Sequence, residues 1–173
     1  MKICFVDINS LVVNELKKLF ENEKIFEFYE GNILSIARGA IVSPANSYGY
    51  MDGGIDEDYT DFFGISLQNA VMNRLDRIGG FLPVGSAFTI ETDNQRIKYL
   101  IFAPTMELPG AVPAHNCYFA MKAILREIDK NNGRYEEVYC PGLCTCTGRV
   151  EPNIAAEEMY KAYKDWLDEK SML

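Results

Sequence analysis

The segment that most constrains this chain runs from Gly39-Ala40-Ile41-Val42 through Ser43-Pro44-Ala45-Asn46-Ser47-Tyr48-Gly49-Tyr50-Met51-Asp52 to Gly53-Gly54-Ile55-Asp56. An apolar run this short, bounded by turn residues, reads as a buried strand. The acidic start Glu57-Asp58-Tyr59 that follows the loop reads as a helix. A strand, a glycine-bearing loop and a helix in that order make one unit of an α/β fold. The loop itself carries chemistry. Glycines let backbone approach a ligand closely, and the N–H groups of the following helix turn point toward it. Asn46 adds a group that both donates and accepts, and Asp56 a potential base. A plainer account is also available, in which Asp56 is the N-cap of the helix and Gly54 serves a tight turn.

The rest of the chain repeats the alternation. Lys2–Asp7 reads as a first strand, and Asn9 caps a helix with Leu11, Val12, Leu16, Leu19 and Phe20 on one side. Lys24–Tyr29 alternates in the manner of a half-buried strand, and Arg38–Ser43 is the next one. Helical periodicity returns from about Asp56 to Ile78, broken near Gly64, with Leu67, Val71, Met72 and Leu75 as its stripe and Gly79-Gly80 as its stop. Gly85–Glu91 and Ile97–Ala103 flank the polar turn Thr92-Asp93-Asn94-Gln95, a hairpin pattern. Pro113 opens a helix with Cys117, Met121, Ile124 and Ile128 facing inward. Glu137–Cys140 is a short strand, followed by the loop Pro141-Gly142-Leu143-Cys144-Thr145-Cys146-Thr147-Gly148. A last helix begins at Pro152 or Asn153, with Ala155, Met159, Ala162, Tyr163 and Trp166 as its stripe. The expected fold is α/β: a central mixed sheet with helices on both faces, in one domain spanning 1–173.

Composition narrows the partners. Twenty-five acidic against seventeen basic side chains give a net charge of −8, which argues against nucleic acid as a partner, because affinity for it rests on Lys and Arg neutralising phosphates. A small phosphorylated ligand held by backbone amides stays open. No stretch approaches the roughly 18 apolar residues of a membrane span, and Met1–Asp7 lacks the apolar core and cleavage site of a signal peptide. Five cysteines in mostly apolar contexts suit a reducing, cytoplasmic setting. Cys140, Cys144 and Cys146 have poor spacing for zinc, and His115 is the only histidine, so neither a metal site nor a Cys–His nucleophile is expected. No dinucleotide fingerprint or P-loop occurs. The loops Asn46–Asp56 and Pro141–Gly148 share one grammar, and in open α/β sheets such loops line a common cleft at the strands' carboxyl ends. The Pro- and Gly-rich stretch Met106–Pro113 is a loop that borders this cleft.

Ser43-Pro44-Ala45-Asn46, followed by Met51-Asp52-Gly53-Gly54-Ile55-Asp56, resembles the first loop of the macro domain, an ADP-ribose-binding module. Pro141–Gly148 resembles that family's second, diphosphate-holding loop, and Gly31-Asn32-Ile33 its adenine-side turn. The likeness covers almost the whole chain in element order and looks closest to stand-alone macro-domain proteins of bacteria and phages. It implies a three-layer α/β/α sandwich with ADP-ribose, or an ADP-ribosylated small molecule or protein, across the top of the sheet, and no cofactor. Asn32 and Ile33 would meet adenine, and Asn46 the hydroxyls of the distal ribose. Gly53, Gly54 and Ile55 would offer amides to one phosphate. Gly142, Leu143, Cys144, Thr145, Cys146, Thr147 and Gly148 would close over the diphosphate. Tyr160 or Tyr163 would either stack on adenine or pack in the core.

The chain departs from the family pattern at several of these positions. Ser43 replaces the first asparagine of the usual pair, so a contact or a loop-bracing bond is expected to be missing. Asn32 replaces the adenine-reading aspartate, which weakens that hydrogen bond by about 1 kcal/mol. Met51 and Asp52 replace the first members of the glycine run, and Asp52 near a phosphate is a like charge unless it points to solvent. The second loop ends Gly148-Arg149-Val150, without the aromatic many relatives carry. Family resemblance implies two activities: binding alone, or hydrolysis of ADP-ribosyl esters or ADP-ribose phosphate with Asp56 acting on a water and Asn46 orienting the sugar. A lysine-nucleophile branch is excluded, since no lysine lies between Lys24 and Lys98. A protein that keeps the fold for a structural or assembly role without the ligand is the third reading.

Overall fold

The computed structural model describes all 173 residues. Six strands form one sheet in the order β2-β1-β6-β3-β5-β4: β1 (Lys2–Asp7), β2 (Phe26–Glu30), β3 (Gly39–Ser43), β4 (Phe88–Glu91), β5 (Ile97–Phe102) and β6 (Glu137–Cys140). The pairs β1–β2, β1–β6, β3–β6 and β3–β5 are parallel. The β4–β5 hairpin is antiparallel, as its polar turn predicts, so the sheet is mixed.

Side chains of a strand alternate between faces, and here both faces are covered. From β1, Ile3 and Phe5 enter one core and Cys4 and Val6 the other; from β3, Ala40 and Val42 divide from Ile41 in the same way. The first core is closed by α1 (Ser10–Phe20), α5 (His115–Lys130) and α6 (Pro152–Ser171); the second by α2 (Ile33–Ile36), α3 (Gly54–Phe63) and α4 (Ile65–Asp76). This is the expected three-layer α/β/α arrangement.

Local chemistry explains most boundaries. Asn9 caps α1 by accepting the N–H of Leu11. Gly64, at a φ of 87°, separates α3 from α4. Gly80 closes the end of α4 by donating to the Leu75 carbonyl. Pro152 stands in the first turn of α6. Four details correct the periodicity. Leu11 is exposed, and Val13 takes its place in the core. Met72 packs only at the margin of its core. Strand β2 starts at Phe26, because Lys24 and Ile25 belong to the turn out of α1. Strand β4 starts at Phe88.

Candidate functional site

The sheet's carboxyl edge opens into a cavity of about 870 Å³ lined by 29 residues, a volume in the usual range of small-molecule sites. It runs from the ends of β2 and β1 (Asn32, Ile33, Asp7) past the loop after β6 to the loops after β3 and β5 (Asp56, Thr105, Met106). Four inter-strand gaps separate β2 from β5, about 19 Å at ordinary strand spacing.

Two loops form the middle of this cleft. In the first, Gly53 is the N-cap of α3 and offers no side-chain cap, and the amides of the first helical turn have no carbonyl one turn back. Asp56 is therefore not the N-cap; it lies two residues inside the helix. In the second, Gly142 donates its N–H to Asp7 Oδ2 at 3.0 Å, while the amides of residues 143–148 donate to no acceptor within the chain. Cys144 adopts a φ of 62°, and a Cβ on Gly148 would fall 2.6 Å from the Cys144 carbonyl oxygen, so the turn is too tight for any other residue. The two loops face each other. Gly54 has a φ of 59°, and a Cβ placed on it would lie 3.7 Å from Thr147 Oγ1.

Most expected residues converge here. Asn32, Ile33, Asn46 and Asp56 line the cavity, with Gly53, Gly54 and Ile55. So do Gly142, Cys144, Thr145, Cys146, Thr147 and Gly148. Leu143 does not: it is wholly buried in the core behind α5, so its backbone N–H, although without a partner in the chain, is closed to a ligand. The Gly142 amide is already taken by Asp7. Tyr160 and Tyr163 pack against Phe20 and send their hydroxyls to Glu23, and neither lines the cavity. His115 is exposed against Phe119 and lies outside the cleft, which leaves no Cys–His pair. Burial pushes the Cys140 thiol up, and a hydrogen bond with the free Cys117 thiol together with burial does the same to Cys144, so both are poor nucleophiles.

The first loop is braced from inside. Asn46 Oδ1 accepts the N–H groups of Tyr48 and Tyr50, both at 3.2 Å, and Nδ2 donates to the Tyr50 carbonyl at 2.7 Å. One N–H of its amide remains. Ser43 supplies the bracing bond whose loss its replacement of asparagine suggested: its hydroxyl donates to Asp56 Oδ1 at 2.6 Å. Met51 turns into the core, whereas Asp52 is exposed and lines the cavity, so the expected like charge stays beside the first loop. Asn32 Oδ1 accepts the N–H of Leu34, capping the short α2. Asp56 itself is 5% exposed. Burial raises its pKa to about 7 against the opposing pull of the Ser43 hydroxyl.

The lining contains five carboxylates (Asp7, Asp52, Asp56, Glu57, Asp58) and no Lys, Arg or His. An anion in this cleft has only main-chain N–H groups, a few hydroxyls and amides to receive it. Sequence reasoning missed Asp7 because it stands outside both loops, at the end of β1; its signal was an aspartate closing a strand directly before the capping residue Asn9.

Comparison with known proteins agrees with this architecture. An uncharacterized protein of Aquifex aeolicus is 32% identical over 132 residues, covering 75% of each chain. The macrodomain of Mycobacterium tuberculosis DarG superposes with a TM-score of 0.67 at 19% identity, covering 79% of this chain and 88% of that one. An Oceanobacillus iheyensis macrodomain mutant with ADPR gives a TM-score of 0.63 at 17% identity, over 77% and 73% of the two chains. Thermosipho africanus DarTG in complex with ADP-ribose gives 0.61 at 14% identity, over 90% of this chain and 48% of that one. Likeness at these structural identities speaks for the fold. The model of the Macro domain matches residues 42–159, and the chain belongs to the macro domain family.

Proposed function

We propose that this protein binds ADP-ribose or an ADP-ribosylated ligand in the cleft and hydrolyses an ester linking an acyl group to its distal ribose. The observation that carries the binding is the convergence of unpaired amides, from residues 144–148 and from the first turn of α3, across one open cavity. A diphosphate is the anion whose several oxygens use two such sets of donors at once. Macrodomains of the same fold have been solved with ADPR and with ADP.

In the hydrolytic reading the Asp56 carboxylate takes a proton from water, and the water oxygen attacks the ester carbonyl carbon. The bond from that carbon to the ribose oxygen breaks, and the proton passes from Asp56 to the departing ribose oxygen. A carboxyl near pH 7 is matched to accepting and returning a proton in neutral solution. The remaining N–H of Asn46 holds a ribose hydroxyl. An ADP-ribose phosphate bond is open to the same attack at phosphorus.

Asn46 also favours a second reading, a non-catalytic reader or sponge, because three bonds to its own loop leave it little to orient a sugar. Calorimetry with ADP-ribose tests binding: one-site heat is expected, and none at about millimolar ligand would leave only the structural or assembly role. Turnover of an O-acyl-ADP-ribose with Asp56→Asn as control tests catalysis. The variant is expected to bind and to lose about 100-fold or more in rate, the usual weight of a general base; an unchanged rate would remove Asp56 from the mechanism.

A further inference from the structure

We propose that Ser43 is a positioning residue for Asp56: its hydroxyl occupies Oδ1 from inside the protein and leaves Oδ2, on the cavity side, as the one oxygen of that carboxyl that takes up and releases a proton. The inference rests on the hydrolytic reading above and deepens it, by naming the atom through which Asp56 acts.

Both partners of this hydrogen bond are held by their own backbones. Ser43 ends β3, and its carbonyl accepts the Ala103 N–H at 3.0 Å, which fixes the strand end against the chain leaving β5. Asp56 lies in the first turn of α3, and the Tyr59 hydroxyl ties that helix to β3 by donating to the Val42 carbonyl at 3.0 Å. Ser43 is wholly buried and does not line the cavity, so a ligand does not touch it. Its hydroxyl makes no hydrogen bond other than the one to Asp56 Oδ1 at 2.6 Å.

The two oxygens of Asp56 are therefore unequal. Oδ2 makes no hydrogen bond within the chain, and no side-chain oxygen sealed from solvent goes without a partner, so Oδ2 is the atom through which the buried Asp56 meets the cavity. A proton on Oδ1 would displace the Ser43 hydrogen and leave a buried donor with no acceptor, which is unfavourable. A proton on Oδ2 disturbs nothing. A serine hydroxyl carries one hydrogen, and given to Oδ1 it favours the charged carboxylate against the pull of burial. No charged group shares this task. Asp52, Glu57 and Asp58 are exposed. Asp7 and Cys140, from β1 and β6, act with Asp56 and Asp58 on the Tyr59 hydroxyl, but burial and Ser43 alone move Asp56 from its ordinary range.

The test follows the side-chain carboxyl carbon of Asp56 by NMR against pH in the labelled full chain, with Asp56→Asn for assignment. In the wild type the midpoint is expected at about 7. Ser43→Ala removes the donor, and the midpoint is expected to rise by about one pH unit or more, the range of a hydrogen bond to a charged group. Ser43→Cys, close in size and a weak donor, is expected to shift it the same way should the alanine variant fold poorly. Ser43→Thr keeps a hydroxyl and is expected to hold the midpoint near that of the wild type. With O-acyl-ADP-ribose as substrate, the midpoint of kcat against pH is expected to rise in step in Ser43→Ala, so that kcat at neutral pH falls roughly fivefold or more. KM is expected to stay, because Ser43 does not line the cavity. A carboxyl midpoint unchanged in both the alanine and the cysteine variants, or raised as far in Ser43→Thr as in Ser43→Ala, overturns the proposal. Absence of turnover by the wild type at every pH overturns the hydrolytic reading instead, and the carboxyl titration then still decides whether Ser43 governs the proton on Asp56.

Discussion

Asp56 makes the stability of this protein depend on pH in a direction opposite to that of a salt-bridged carboxylate. Its pKa stands at about 7 in the folded chain, against roughly 4 for an unperturbed aspartate. Between those values the unfolded chain has lost the proton and the folded chain keeps it. Stability therefore falls as pH rises through this window, by about 1.4 kcal/mol per decade of acidity, and the full penalty above pH 7 is about 4 kcal/mol. About 3 kcal/mol of it falls between about pH 5 and about pH 8.5. Asp56→Asn removes the ionisation and retains an oxygen for the Ser43 hydroxyl, which now donates to Asp56 Oδ1. Urea unfolding followed through the single, buried Trp166 gives the free energy of both proteins at both pH values. The Asn variant is expected to gain about 3 kcal/mol on the wild type between pH 5 and pH 8.5. A difference that stays constant within about 0.5 kcal/mol would mean that Asp56 ionises without cost, and the argument from its burial would fail.

Two further outcomes follow from the second loop and the lining. Gly142→Ala places a Cβ 2.5 Å from Val12 Cγ1 and 3.0 Å from both Asp7 Oδ2 and Thr145 Oγ1; overpacking of this kind costs about 1–3 kcal/mol. Thermal unfolding is expected to drop by roughly 3–10 °C, with weaker ADP-ribose binding, and an unchanged melting temperature would contradict the tight approach. Because no cationic side chain lines the cavity and five carboxylates do, raising sodium chloride from about 50 mM to about 500 mM is expected to leave ADP-ribose affinity unchanged or tighten it, by screening repulsion. A steep loss of affinity with salt would show that Lys or Arg holds the diphosphate.

The sequence already carries most of the architecture, because both faces of the sheet are buried and leave a plain mark. Within strands β1 and β6, Ile3–Val6 and Val138–Cys140 are continuous apolar runs, and the stripe of α6 (Ala155, Met159, Ala162, Tyr163, Trp166) is buried as its spacing predicts. Errors fall where one residue's fate depends on the exit angle of the chain. Leu11 in the first turn of α1 faces out although it is apolar, and Val13 faces in. The position of both loops was legible from glycines between a strand and a helix. The use of their side chains was not. Asn46 is engaged by its own loop, Asn32 caps α2, and Leu143 turns into the core, since hydrogen-bond partners and side-chain direction are set by tertiary packing. The same holds for Asp56. Its place two residues inside α3, under Ser43, follows from Gly53 taking the cap position.

The central claim is that main-chain amides, not cationic side chains, hold a diphosphate between two turns. Amide-resolved NMR of the uniformly labelled protein titrated with ADP-ribose tests it most directly. The account predicts that the largest shifts fall on the N–H groups of residues 144–148 and of Gly53, Gly54 and Ile55, which line the cavity. Shifts confined to other surfaces, or none at saturating ligand, would contradict it.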